Sequence, residues 1–192
     1  MIEIFSPVSK GLMQLAGVLS IGLLLSICFL DTDIKGAVNN AKLVKKAKTL
    51  ILVWLLAISL FILVQISYLL EQPFLSSFDL TVIRSYLTQT SIGKSYLIQI
   101  IGLIIILSIP IKRILTTYFL LLISLIVIVA PVFQSHGSSS GNHGLAIGAL
   151  VVHVIAISFW VGGLFGLTQL DKAQKLLVEV SKIITMVDNI SV

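Results

Sequence analysis

The chain alternates long apolar runs with short polar breaks. Five apolar stretches, at about 11–30, 50–70, 92–111, 115–133 and 144–169, approach or exceed the 20 or so helical residues needed to cross a hydrocarbon core of roughly 30 Å. Only helices satisfy every backbone polar group inside lipid without closing a barrel, so each stretch predicts a membrane-spanning α-helix. Residues 75–90 differ. Leu75, Phe78, Val82, Ile83, Tyr86 and Leu87 recur at helical spacing, opposite Thr81, Arg84, Ser85 and Gln89. Ser76-x-x-Asp79, after Pro73, has the form of a capping box. This stretch predicts an amphipathic helix lying on the membrane interface, with Tyr68, Phe74 and Tyr96 in an aromatic belt beside it. A structural lid over the bundle is the plainer reading of its role.

The predicted fold class is therefore all-α: a polytopic transmembrane helical bundle of about five spans plus an interfacial helix, forming one domain over residues 1–192. Composition agrees. The chain is 57% hydrophobic and 11% charged, with mean hydropathy +1.12, beyond what a soluble core of this size can hide. No basic region precedes the first apolar run and no small-x-small site follows it, so a cleaved signal peptide is not expected.

Charge sets an orientation. The first loop carries Lys35, Lys42, Lys45, Lys46 and Lys48, the third Lys112 and Arg113, and the tail Lys172, Lys175 and Lys182. The second loop has only Arg84 and Lys94, and the fourth has neither Lys nor Arg. Basic residues favour cytoplasmic loops, which predicts the N-terminus outside and the C-terminus in the cytoplasm. The net charge of +5 falls in short runs between apolar segments, so no nucleic-acid surface is expected.

The candidate chemistry is confined to one region. All three histidines fall within 18 residues: His136 and His143 around a Gly/Ser-rich loop, and His153 inside the fifth span. An imidazole at membrane depth is costly and points to function, and neutral imidazole suits copper, zinc and iron. His143 and His153 are ten residues apart, about 15 Å along a helix and about 80° out of register, so they cannot share a metal through a straight helix. His136 and His143 can meet if the loop folds back. Plain solvated loop histidines, and an interhelical hydrogen bond for His153, are the competing readings.

Gly144-x-x-x-Gly148 and Gly162-x-x-x-Gly166 allow close helix packing. With His153 they predict that the fifth span is a tightly packed interior helix, and Trp160 falls near the His153 face. Gln14, Gln65 and Gln99 read best as interhelical glue. Met13 is a soft ligand candidate that could equally be packing, and Cys28 has no partner for a disulfide or a CxxC site. HExxH, GxSxG and P-loop motifs are absent, and no catalytic activity is expected.

Two stretches resemble a known family. Val82-Ile-Arg-Ser-Tyr-Leu-Thr-Gln-Thr-Ser-Ile-Gly-Lys-Ser-Tyr-Leu97 looks like a threonine followed by glycine-basic at the start of an apolar helix. Ser135-His-Gly, Asn142-His-Gly and His153-Val-Ile-Ala-Ile-Ser-Phe-Trp-Val-Gly-Gly-Leu164 look like a histidine loop leading into a helix with His and then Trp-x-Gly-Gly-Leu. Both resemble the CopD group of bacterial copper-resistance membrane proteins, including the copper-import relatives of Gram-positive bacteria. The resemblance covers roughly residues 10–170 and implies a bacterial plasma (inner) membrane location, copper as the ion handled, and His136, His143 and His153 as its metal ligands. Family members continue with further spans where residues 176–192 are too polar to cross, so the chain is expected to match the front of a family member.

The leading expectation is copper capture at the outer face by His136 and His143, passage inward past His153, and an extracytoplasmic copper carrier as a partner. Two alternatives stay open: a haem b electron-transfer or oxidase-assembly subunit with His153 as axial ligand, which needs a second ligand at similar depth, and a structural subunit that binds no metal.

Overall fold

The computed structural model describes the backbone of residues 2–33, 37–74, 78–111, 114–135 and 143–190, and the side chains of 5–28, 41–74, 78–111, 115–133 and 144–169. In order, the helices are α1 (Ile2–Asp33), α2 (Ala37–Leu69), α3 (Leu80–Gln89), α4 (Ser91–Ser108), α5 (Ile114–Val129), α6 (Val132–Ser135) and α7 (His143–Ile190). The described residues form no strand, and the molecule is a helical membrane bundle.

Four helices are long and apolar enough to cross a bilayer, at Phe5–Cys28, Ala41–Leu69, Ser91–Ser108 and Gly144–Gln169. The fifth expected span, 115–133, is shorter. Its helix stops at Val129 because Pro131 disfavours helical backbone at the preceding residue and has no N–H to donate. The apolar segment Leu115–Val129 is thus only about 22 Å long at 1.5 Å per residue. Pro110 likewise stops α4 at Ser108, where the Ile109 N–H still reaches the Ile105 carbonyl.

The first loop is smaller than its polarity suggested. Ala and Lys are good helix formers, so α2 begins at Ala37 and carries Lys42, Lys45, Lys46 and Lys48 on its first turns. Lys35, Lys112 and Arg113 lie outside the described residues. The lysine-rich end is tied together by two of these ammonium groups. Lys48 Nζ donates to the Leu107 carbonyl at the end of α4 (3.0 Å), and Lys46 Nζ donates to Gln169 Oε1 of α7 (2.9 Å). A cation over a helix C-terminus also complements the helix dipole. At the opposite end, Gln65 Nε2 of α2 donates to Ser6 Oγ of α1 (3.0 Å).

The core runs between α1, α2, α4 and α5. Ile21, Leu24, Ile27, Ile51, Trp54, Ile58, Leu103 and Ile106 are fully enclosed, and the Phe61 and Tyr96 rings meet edge to face at 5.5 Å. Buried serines return their hydroxyls to their own helix: Ser20 to Ala16, Ser26 to Gly22 and Ser124 to Leu120. These three hydroxyls are thereby satisfied within the apolar interior.

α7 joins this core along one line. An added Cβ on Gly22 would collide with the Gly162 backbone, and one on Gly162 would press on Val18 O and Gly22. One on Gly166 would strike Ser26 and lie 2.6 Å from Gly22 O. Gly162-x-x-x-Gly166 is therefore a close crossing, matched on α1 by Gly22-x-x-x-Ser26, as expected for small residues at helix interfaces in lipid. Gly144 and Gly148 have open space around them among the described residues, so that pair makes no packing contact with those.

Candidate metal centre

The histidine end of the bundle also holds the two most carefully terminated helices. α2 closes with paired bonds, Gln72 N to Ser67 O (3.2 Å) and Glu71 N to Tyr68 O (3.4 Å), the Schellman pattern. Glu71 sits at φ 51°, a left-handed position usually held by glycine. Ser67 Oγ adds a bond to Gln72 O at 2.7 Å.

α3 follows. Its start differs from expectation: Asp79 is the N-cap, accepting from Thr81 N at 2.8 Å, so it is not the third residue of a box opened by Ser76. Ser76 and Leu75 lie outside the described residues. The predicted faces are present in most positions: Val82, Ile83, Tyr86 and Leu87 are half-buried, while Thr81, Arg84 and Gln89 are exposed. Phe78, which precedes the N-cap, is exposed rather than part of the stripe, and Ser85 is half-buried rather than on the open face. Ten residues cannot cross a bilayer, so α3 lies against the bundle end. With the end of α2 it encloses an apolar, open hollow of about 210 Å³ lined by Ile66, Leu70, Val82 and Tyr86 among others. Burial raises the pKa of the Tyr86 phenol, which stays neutral there.

Thr90 makes the corner between α3 and α4. Its hydroxyl donates to Tyr86 O (2.8 Å) and accepts from Gly93 N (2.9 Å), closing one helix and opening the next. A Cβ on Gly93 would collide with Tyr86 O. The threonine-then-glycine pattern is thus the geometry of a sharp turn, and Lys94 projects from it, exposed.

The glutamines divide. Gln99 is buried and donates from Nε2 to the Val127 carbonyl (2.7 Å), while its Oε1 has no hydrogen-bond partner. Gln65 bridges α1 and α2, as glue was expected to, and Gln14 is exposed. Met13 is 4% exposed and belongs to the core cluster, as does Cys28, so Met13 sits among packed side chains.

Of the three predicted metal residues, His136 lies outside the described residues. His143 is the first residue of α7, with its side chain outside them. His153 is placed, and it is exposed. That corrects the expectation of an interior position. His153 is nine residues before Gly162, and nine steps of about 100° make about 900°, which is half a turn away. The face that packs on α1 is therefore the face His153 does not occupy. Trp160, 71% exposed, shares the His153 side. Among the described residues no three His, Cys, Asp or Glu gather closely enough to hold a metal ion.

Residues 1–146 match the family described as copper resistance protein D-like, N-terminal domain. The chain belongs to that family. The match takes in α1 to α6, His136 and His143, and ends before His153 and the Trp-x-Gly-Gly stretch. No curated protein and no solved structure matches the chain. A multi-pass membrane protein of a copper-resistance family is thus the frame for its chemistry.

Proposed function

We propose that this protein captures copper at the outer face of a bacterial plasma membrane and passes it inward. The single observation that carries the reading is membership of a copper-resistance family, in a chain whose three histidines all fall within 18 residues of sequence. Alternating lysine loops support the orientation, with the N-terminus outside and the C-terminus in the cytoplasm. In that orientation Lys46 and Lys48, bonded to the mid-part of α7 and the end of α4, lie at the cytoplasmic end. The histidines then begin at the outer surface.

In this reading His136 and His143 form the capture pair, and the loop between them contains no lysine or arginine to repel a cation. Imidazoles suit oxidised copper, whereas soft thiolate and thioether ligands are nearly absent. Two imidazoles leave the coordination incomplete, so water, a backbone carbonyl or a copper-carrying protein completes it. His153, about 15 Å further along α7, is the next imidazole inward. In this reading the inward route runs along the open side of α7, where His153 is exposed.

The test is metal analysis of the purified full chain with intact-cell copper uptake beside it. Replacing His136 and His143 together by alanine is expected to lower bound copper, while His153→Ala keeps capture and lowers uptake. Unchanged copper stoichiometry and affinity in the triple replacement would falsify the reading.

A further inference from the structure

α7 has two unlike sides. One bears Ser158, Gly162 and Gly166, buried against the bundle. The other bears Ala149, His153, Ala156, Trp160, Gly163 and Leu167, at steps of four, three, four, three and four residues. All but Gly163 are exposed, and Gly163 is half-buried. This seam is about 27 Å long at 1.5 Å per residue, close to the hydrocarbon thickness of roughly 30 Å. In the most apolar 18-residue window of α7 only 6% of residues are buried, against 61% in that of α1.

We infer that a second copy of this chain covers this seam, α7 against α7, so that the two His153 side chains face each other inside the membrane. Four observations point to that occupant. Lipid offers no hydrogen-bond partner to an imidazole at this depth, and polar side chains within a span ordinarily face protein. Neutral imidazole has one donor and one acceptor, so one ring can donate its N–H to the bare nitrogen of the other, the two copies exchanging roles across the interface. Two copies with the same topology can pair only about an axis along the membrane normal. Their α7 helices then run parallel, and each seam position meets itself. Finally, the alternating four-and-three spacing is that of a seam between two helices packed side by side, which the shared topology makes parallel. Ala149, Ala156 and Gly163 let the backbones close in, and one polar seam residue fixes the register.

The pairing supplies what one chain lacks, a second imidazole at the depth of His153. Two facing nitrogens would make a relay point for the copper route, a step that rests on the copper reading above. The pairing itself does not.

The experiment uses the full chain with a chelator present, so that copper cannot drive association. A fluorescent fusion is counted by photobleaching in supported bilayers, and Ala156→Cys is cross-linked with a bismaleimide in a Cys28→Ser background. Leu122→Cys, exposed on α5 away from the seam, is the control. Two-step bleaching is expected, with most Ala156→Cys chains cross-linked as dimers and only traces for Leu122→Cys. Ala156→Leu fills the seam at an exposed position and should cause loss of the dimer while helicity is kept. One-step bleaching, or equal cross-linking at both positions, overturns the inference. A dimer that binds no copper leaves it standing and removes the copper reading alone.

Discussion

Gln99 Nε2 lies 2.7 Å from the Val127 carbonyl oxygen, across the α4–α5 contact. Four residues beyond Val127 is Pro131, which has no N–H, so that carbonyl lacks its ordinary helical donor. The side chain of one helix therefore supplies the hydrogen bond that a proline removed from its neighbour. Gln99→Leu should destabilise the protein by about 1–3 kcal/mol, the usual cost of stranding a buried acceptor. In a Pro131→Ala background, where residue 131 regains an N–H, the same substitution should cost less. Equal losses in both backgrounds, read by thermal unfolding in detergent, would show that the two features are independent.

The crossing of α1 and α7 makes a sharper demand. Gly162→Leu places a branched side chain where a single Cβ already meets the Val18 carbonyl, and the loss should be at least about 3 kcal/mol. Gly144→Ala and Gly148→Ala enter open space and should leave the midpoint unchanged or slightly raised. Similar losses at all three glycines would contradict the packing described.

Glu71 holds a left-handed backbone with a side chain that disfavours it. Glu71→Gly should raise stability by about 1 kcal/mol, since the Schellman bonds around it require that conformation and glycine adopts it freely. A fall in melting temperature would mean that the Glu71 carboxylate has a role that the backbone geometry does not reveal.

Thr90 serves two helices with one hydroxyl. Thr90→Val should cost about 1 kcal/mol, and Thr90→Ser should restore most of it, because serine keeps both bonds. Hydrogen exchange at the Gly93 amide gives a local readout: it should speed up in the valine variant alone.

Much of this fold is legible in the sequence because membrane helices must satisfy their backbones internally, so apolar length alone marks α1, α2, α4 and α7. The half-buried stripe of α3 is equally plain in the spacing of Val82, Ile83, Tyr86 and Leu87. What a local pattern lacks is the identity of a helix's neighbour. Gly162-x-x-x-Gly166 announces a close contact, but nothing near it names Gly22 and Ser26 as the other half. The inward placement of His153 failed for a different reason. A glycine pair and a histidine on one helix need not share a face, and nine residues set His153 half a turn from Gly162. The stop of α5 at Val129 was present in the sequence as Pro131, outweighed by the apolar run around it.

The pairing of Gly22 with Gly162 also imposes an order on assembly. About 140 residues separate them, so the notch on α1 is made long before the helix that fits it. At synthesis rates of roughly 5–20 residues per second, α1 waits on the order of ten seconds with that surface in lipid. α2 can pack on α1 at once, and so sets its angle early. The last apolar helix then closes against the first, and any passing helix with small residues at the right spacing can compete for the notch in the interval. A variant that slows release of α7 would therefore lower the yield of folded protein while leaving the stability of the molecules that do fold unchanged.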